Sequence, residues 1–301
     1  MRAPSFLDET AVTPAGSARF DAHFSDRWVG PAGPQGGVVA ATTLRAMAAT
    51  LDDPEPRLRT STTVFVAQVP EGPAEIDVDV LRVGKSVTQV QGTVRARGTT
   101  GVGHRTLAVF GRERTGFDGG PLEFTELQFP DPPPPERARP LPDDRPSASI
   151  FDFSFWRNVE TRDVSFRYSW EDDWVGGAAE GARWIRYLDT PRLPDGAIDP
   201  LAYLPVLDVI PGSVSQRLGP GARRYFAPTL DLTVHFLDDT DDKWLLQVMR
   251  MRRAVHGYGS GEMELWSRDG RLLAHASQTM LFRYADRDPG ADERERRSAG
   301  G

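Results

Sequence analysis

The feature that most constrains the fold of this chain is a proline-rich segment near its middle. Residues 129–146 read FPDPPPPERARPLPDDRP, and proline at this density excludes helix interiors and central strands, because proline lacks the N–H and fixes φ. The segment predicts an extended linker, to which we assign residues 129–149. We therefore expect two domains, at 1–128 and 150–284, and we expect the highly charged tail at 285–301 to be disordered.

Both halves show the same order of elements, with short strands, then one helix, then a series of strands. Residues Gly36 to Leu51 are rich in alanine and free of proline, which predicts a helix running through a core. In the second half, Asp199 as N-cap and Pro200 in the first turn predict a helix start, and Pro211 and Gly212 predict its end.

Alternating apolar and polar residues predict antiparallel strands in both halves. The predicted strands are at 62–69, 74–84, 86–97, 104–112, 166–170, 182–190, 229–237, 243–255, 260–268 and 272–283. Each half is therefore expected to be a curled antiparallel sheet around one helix, which makes the chain an α+β protein.

The last strands of the two halves, RTLAVFGR and SQTMLFR, align when Phe110 is matched with Phe282. Thr106 then corresponds to Gln278. If the halves are duplicates, the functional site is asymmetric, because the second half carries the more distinctive polar residue.

The charge and the residue types present exclude several classes of function. A formal net charge of -7 argues against binding to nucleic acid, which needs a concentrated positive field. The absence of cysteine excludes disulfides, thiolate metal sites and a cysteine nucleophile. No signal-peptide pattern and no apolar run of about 18 residues occurs, so the expected location is the cytoplasm, without a membrane span.

Common catalytic motifs are also missing from the sequence. Ser260 lies in GYGSGEM, whose glycines have the wrong spacing for the nucleophile elbow of a serine hydrolase. The five histidines form no close metal-ligand pair, and no P-loop is present. We expect no metal, no cofactor and no nucleotide-triphosphate chemistry, and we interpret GYGSG as a strand edge.

Asp208 is the most informative residue of the chain. Helical spacing places it on the apolar face of Leu201 and Leu204, near a helix C-terminus, where negative charge is disfavoured by about 0.3–1 kcal/mol. These two penalties favour a carboxylate with a raised pKa and a chemical role. The alternative is that the helix ends earlier and Asp208 caps a turn before Pro211.

Two other polar residues are candidates for the same site. Gln278 alternates with Ala276 and Met280 on the predicted inner face of a strand, where a buried amide needs partners. It could orient a water or a carbonyl, or it could bond to a backbone group. Alternation places Thr229 on the outer face, although Pro228 marks the strand start, where the pleat is least regular.

The sequence resembles the bacterial acyl-CoA thioesterase II family from about Phe20 to Arg283. The resemblance rests on the order and spacing of five segments, which are PQGGVVAATTLRA, VLRVGKSVTQVQGTV, LAYLPVLD, APTLDLTVHF and LLAHASQTMLFR. It implies a double hotdog fold, in which two antiparallel sheets, each curled around a central helix, join into one extended sheet. It also implies fatty acid metabolism and an acyl-CoA or acyl-carrier thioester as substrate.

The resemblance further implies a catalytic trio of Asp208, Thr229 and Gln278, which positions a water for direct attack on the thioester carbonyl. Backbone N–H groups of Gly36 and Gly37 are weaker candidates for stabilising the oxyanion and binding substrate. Two alternatives stay open, a non-catalytic acyl-thioester binding module and, with less support, a hydratase or dehydratase. A homo-oligomer is compatible with all of these expectations.

Overall fold

The computed structural model describes residues 5–114, 122–143, 145, 149–171, 173–209, 211–223 and 225–284. The tail at 285–301, expected to be disordered, lies outside the described residues. The first half contains α1 (Phe6–Glu9), β1 (Thr13–Gly16), β2 (Arg19–Phe24), β3 (Val29–Gly30), β4 (Gly33–Pro34), α2 (Gly36–Leu51), β5 (Arg57–Phe65), β6 (Gly72–Val83), β7 (Val87–Ala96) and β8 (His104–Gly111).

The second half contains β9 (Arg139–Pro140), β10 (Val159–Asp163), β11 (Glu180–Tyr187), α3 (Tyr203–Leu207), α4 (Gly212–Leu218), β12 (Tyr225–Phe226), β13 (Thr229–Phe236), β14 (Leu245–Val255), β15 (Tyr258–Trp266), β16 (Leu272–Leu281) and β17 (Arg283–Tyr284). Single 3-10 turns cover Ile150–Asp152, Ser154–Asn158 and Pro200–Ala202. Among the described helices, none is long and apolar enough to cross a membrane.

Within the described residues, thirteen strands form one antiparallel sheet in the order β1-β2-β6-β7-β8-β5-β13-β16-β15-β14-β11-β10-β9. The order β2-β6-β7-β8-β5 in the first half matches β11-β14-β15-β16-β13 in the second, and the halves meet where β5 pairs with β13. Each half wraps its sheet over its own helical segment. The expected double hotdog architecture is confirmed.

The junction of the halves shows where their pseudo-twofold axis lies. β5 has a bulge at Arg59 and β13 has one at Leu230, and aligning the two bulges makes Thr62 equivalent to Thr233. These two threonines pair directly across the junction, with their Oγ1 atoms 3.0 Å apart. The axis therefore passes between them.

The same alignment corrects the match made from the sequence. Gln278 pairs with Leu232, and the equivalent pair in the first half is Ala108 with Ser61. The residue equivalent to Gln278 is therefore Ala108 and not Thr106, because strand register is set by pairing and bulges rather than by the similarity of side chains. Because Ala108 stands at this position, the first half has no counterpart of the Gln278 side-chain amide.

The central helix of the first half, α2, forms over the predicted residues, Gly36–Leu51. Val38, Val39, Ala40 and Ala41 are fully buried, because α2 packs against both the sheet of its own half and α3. The second helical segment starts as predicted, since the Asp199 carboxylate accepts from the N–H of Leu201. However, it is broken into a 3-10 turn, α3 and α4.

Two predictions outside the helices need correction or detail. The strand predicted at 166–170 does not form, and β10 (Val159–Asp163) is the strand that precedes this segment in the chain. The described part of the linker packs against the second half, where Phe129 contacts Trp266 edge-to-face, Ala138 is buried and β9 pairs with β10. The described part of the linker includes a hydrogen-bonded turn, because the N–H groups of Arg137 and Ala138 both donate to the Pro134 carbonyl, and it contributes to the core of the second half.

Candidate active site

Asp208 is the residue that ends α3. The helix stops at Leu207, and Asp208 adopts φ -90° and ψ 44° while its N–H donates to the Leu204 carbonyl. The helix therefore ends earlier than the apolar stripe predicts. The carboxylate nevertheless points away from the following turn and into the contact between α3 and the N-terminus of α2.

One carboxylate oxygen of Asp208 faces the sheet of the second half. Its Oδ1 accepts a hydrogen bond from the Thr229 hydroxyl at 3.0 Å and from the Gln278 amide at 2.7 Å. The Gln278 amide also donates to the Thr229 hydroxyl oxygen. The structure thus brings the three residues of the expected trio into mutual contact.

The other carboxylate oxygen faces the first half of the chain. Asp208 Oδ2 accepts from the N–H of Gly37 and from Nε2 of Gln35, both at 3.1 Å. Gly37 lies in the first turn of α2, whose unpaired N–H groups and dipole favour a negative charge. The local penalty at the end of α3 is therefore offset by a helix from the other half.

Two glycines make this approach possible. A Cβ on Gly37 would lie 2.5 Å from the backbone carbonyl atoms of Leu204, and a Cβ on Gly36 would lie 2.7 Å from both Asp208 Oδ2 and the Phe65 ring. Any larger residue would separate α2 from α3. The double glycine thus sets the distance between the carboxylate and the helix N-terminus.

The bulge in β13 decides where Thr229 points. Simple alternation places Thr229 opposite in direction to Leu232, but Leu230 is the extra residue of the bulge, so Thr229 pairs with Met280. Met280 and Gln278 are buried on the inner face of β16. The bulge therefore turns Thr229 onto the inner face, beside Gln278.

The surroundings of Asp208 change its acidity. Burial raises its pKa from 3.8 to about 7, against the hydrogen bonds from Thr229, Gly37 and Gln278, which lower it. The residue keeps part of its surface accessible, so a small molecule can still reach it. A carboxylate with this pKa is able to take a proton near neutral pH.

Gln278 has one atom that its protein neighbours do not satisfy. Its Oε1 is buried and has no hydrogen-bond partner among the described residues. An unpaired buried acceptor costs about 1–3 kcal/mol. This oxygen is therefore available to a water or a substrate that donates to it.

The two predicted backbone donors, the N–H groups of Gly36 and Gly37, differ in their hydrogen bonding. The N–H of Gly37 is occupied by Asp208, whereas the N–H of Gly36 makes no hydrogen bond within the described part of the chain. The sequence interpretation also missed Gln35, which caps α2 and contacts Asp208. Its signal was an amide immediately before the two glycines, where a shorter capping side chain is usual.

The described residues contain no group of three or more His, Asp or Glu side chains placed to hold a metal ion. The imidazole of His104 contacts the Phe65 ring edge-to-face, and burial lowers its pKa to about 4. It therefore stays neutral at physiological pH and does not bond to Asp208.

Comparison with known proteins identifies the family of the chain. Residues 24–111 match the family model of the acyl-CoA thioesterase N-terminal domain, and residues 133–282 match that of the C-terminal domain. The chain belongs to the acyl-CoA thioesterase family. Asp208, Thr229 and Gln278 all lie within the residues that match the C-terminal domain model, and Gly36 and Gly37 lie within those that match the N-terminal domain model.

Solved structures show the same fold over nearly the whole chain. A conserved hot dog protein of unknown function from Alicyclobacillus acidocaldarius is 26% identical, with a TM-score of 0.76, covering 93% of this chain and 98% of its own. An acyl-CoA thioesterase II from Mycobacterium marinum is 19% identical, with a TM-score of 0.65, covering 94% and 99%. No curated protein matches the sequence.

Proposed function

We propose that this protein hydrolyses acyl-CoA, or another acyl thioester, to the free acid and thiol by direct attack of water. The observation that carries the proposal is the convergence of Thr229 and Gln278 on one oxygen of a partly buried carboxylate, that of Asp208. The family assignment supports the substrate class. The three contacts support the mechanism.

Asp208 acts as the general base in this proposal. Its carboxylate takes a proton from the attacking water while the oxygen of that water forms a bond to the thioester carbon. The raised pKa favours this transfer near neutral pH, because a base works best when its pKa is close to the working pH. The proton then passes to the leaving thiolate as the C–S bond breaks.

Gln278 and Thr229 hold the water beside the base. The unpaired Oε1 of Gln278 is placed to accept the second proton of the water as a hydrogen bond, and the Thr229 hydroxyl bridges Gln278 and Asp208. Fixing the water in this way removes much of the entropy cost of attack. No covalent intermediate with the enzyme is required.

The N–H of Gly36 is the proposed donor to the oxyanion that develops on the thioester oxygen. It lies at the N-terminus of α2, beside the carboxylate but separate from the N–H of Gly37 that holds Asp208. Donors at a helix N-terminus stabilise developing negative charge, and the missing side chain lets the substrate approach. We accordingly assign Gly37 to holding the base.

Continuous thiol release from short, medium and long acyl-CoAs tests the proposal. We expect Asp208→Asn to lower kcat by about 10²–10⁴-fold, as for loss of a general base, and Gln278→Ala to lower it by about tenfold or more. Asp231→Asn is the matched control, since Asp231 lies on β13 but its carboxylate accepts from the N–H of Thr279. This control should retain activity within about threefold.

The outcomes separate the open alternatives. Full turnover in both Asp208→Asn and Gln278→Ala would exclude the proposed site. Tight binding of acyl-CoA without thiol release by the wild type would favour the non-catalytic binding module. Hydration of an enoyl-CoA without thioester cleavage would favour the hydratase.

A further inference from the structure

We propose that Gln35 is a positioning residue for Asp208, which fixes the carboxylate so that Oδ1 alone is directed toward the reacting water. This inference rests on the proposed role of Asp208 as general base. It assigns a function to a residue of the first half in a site whose other side chains come from the second half.

The side chain of Gln35 has three hydrogen bonds, and together they allow only one orientation of its amide. Its Oε1 accepts from the N–H of Val38 at 3.0 Å, which caps α2. Its Nε2 must then face α3, where it donates to the Pro205 carbonyl at 3.2 Å and to Asp208 Oδ2 at 3.1 Å. Gln35 is buried, so water cannot readily replace these bonds.

The contact with Gln35 makes the two oxygens of the Asp208 carboxylate unequal. Oδ2 receives donors that cannot turn, because the Gly37 N–H belongs to a helix and the Gln35 amide is fixed by its cap. Oδ1 receives donors that can rearrange, because the Thr229 hydroxyl rotates and the Gln278 amide can turn over. Proton transfer is therefore expected at Oδ1.

Among the described residues, the groups that hydrogen-bond to Asp208 are all neutral. Gln35 and Gly37 approach from the start of α2, Thr229 from β13 and Gln278 from β16. His104 on β8 contacts the ring of Phe65, and its imidazole is neutral at physiological pH because burial lowers its pKa to about 4. With no ionised partner among the groups that hydrogen-bond to it, the carboxylate depends on donors such as Gln35 for its stabilisation, and each lost donor should raise its pKa.

Two variants separate positioning of the carboxylate from capping of the helix. Gln35→Met removes all three hydrogen bonds at similar length, whereas Gln35→Glu keeps the capping acceptor and removes the donor to Asp208 Oδ2. We expect the inflection of kcat/KM against pH to move up by about one pH unit in Gln35→Met, with kcat lowered about tenfold and KM changed less than threefold. It should move at least as far in Gln35→Glu, because two carboxylates then face each other.

A second measurement does not depend on activity. The pKa of Asp208 can be read from the pH dependence of the stability difference between a protein and its Asp208→Asn version, in both the wild-type and the Gln35→Met background. If Asp208→Asn retains turnover but this pKa rises with Gln35→Met, the general-base role fails and the Gln35 contact stands. The inference would be overturned if Gln35→Met changed neither the inflection pH of kcat/KM nor the pKa of Asp208 read from stability. A kcat/KM profile of Gln35→Glu identical to that of the wild type would overturn it as well.

Gln216 provides a matched control. It is a buried glutamine that bonds to the backbone N–H and carbonyl of Arg167 and does not contact Asp208. Gln216→Met should lower stability as Gln35→Met does, but it should leave the inflection pH unchanged. A shift of equal size in Gln216→Met would show that general destabilisation, and not the contact with Asp208, moves the inflection.

Discussion

The buried carboxylate of Asp208 should make the protein less stable as the pH rises. Its pKa is about 7 in the folded state and 3.8 as the ordinary value of an unfolded chain. Between these two values the folded protein binds a proton that the unfolded chain has released, so stability is fully present below pH 4 and is lost as the pH rises through 7. One pKa unit corresponds to about 1.4 kcal/mol, which gives a loss of up to about 4 kcal/mol.

Asp208→Asn removes this loss with little change in shape. The oxygen of the new amide can accept from Gly37 and Gln35, as Oδ2 does now. Its NH₂ group can donate to the hydroxyl oxygen of Thr229. It can also donate to Oε1 of Gln278, which is unpaired in the wild type, once the Gln278 amide turns over. The variant should therefore keep its hydrogen bonds while losing the titration.

The expected stability difference follows from these pKa values. Relative to the stability below pH 4, the titration of Asp208 lowers the stability of the wild type by about 1.5 kcal/mol at pH 5, where the folded protein still holds the proton, and by about 4 kcal/mol at pH 8. Urea unfolding at both pH values should show Asp208→Asn gaining about 2–3 kcal/mol relative to the wild type between pH 5 and pH 8. A difference between variant and wild type that is the same at both pH values would refute the raised pKa.

Three further predictions concern the same site. In the wild type, kcat/KM should rise about tenfold per pH unit below pH 6 and level off above about 7, the pKa of Asp208; a flat profile between pH 5 and 8 would contradict a base with this pKa. Thr229→Val should lower kcat by about tenfold and Thr229→Ser by less than threefold, because only serine keeps the hydroxyl, and steady-state thiol release would distinguish them. Gly37→Ala should lower the free energy of unfolding, measured in urea, by about 2–4 kcal/mol, because its Cβ would meet the Leu204 backbone at 2.5 Å. The control Gly101→Ala has open space around it and should lose less than about 1 kcal/mol. Equal losses of stability in the two variants would argue against the close approach of α2 to α3.

The local elements of the fold were predictable from residue patterns. α2 forms over Gly36–Leu51, as its composition predicts, and β13 to β16 form within one or two residues of the alternating segments. These elements bury one face each, so their periodicity is present in the chain itself. The segment at 166–170 does alternate, with Phe166 and Tyr168 both buried. It forms no strand because side chains take its backbone groups, since the N–H of Arg167 donates to Gln216 Oε1 and the N–H of Tyr168 donates to Glu171 Oε2.

Asp208 and Gln278 could be found from sequence because each breaks an apolar pattern. Thr229 could not be assigned to a face, since the bulge at Leu230 arises from pairing with β16, a strand more than 40 residues away. Gln35 was missed for a similar reason: its partners, Pro205 and Asp208, are brought to it only by the fold.

The sequence by itself determined that a carboxylate stands at an unfavourable place, at the end of an apolar helical stripe. Only the tertiary structure decided which group stabilises the negative charge of this carboxylate. That group is the N-terminus of α2, from the other half of the chain. Helical periodicity reports which face of one segment is apolar, but the electrostatic environment of a buried charge depends on every element packed around it. The acidity of Asp208 is therefore a property of the assembled double hotdog and not of the segment that carries it.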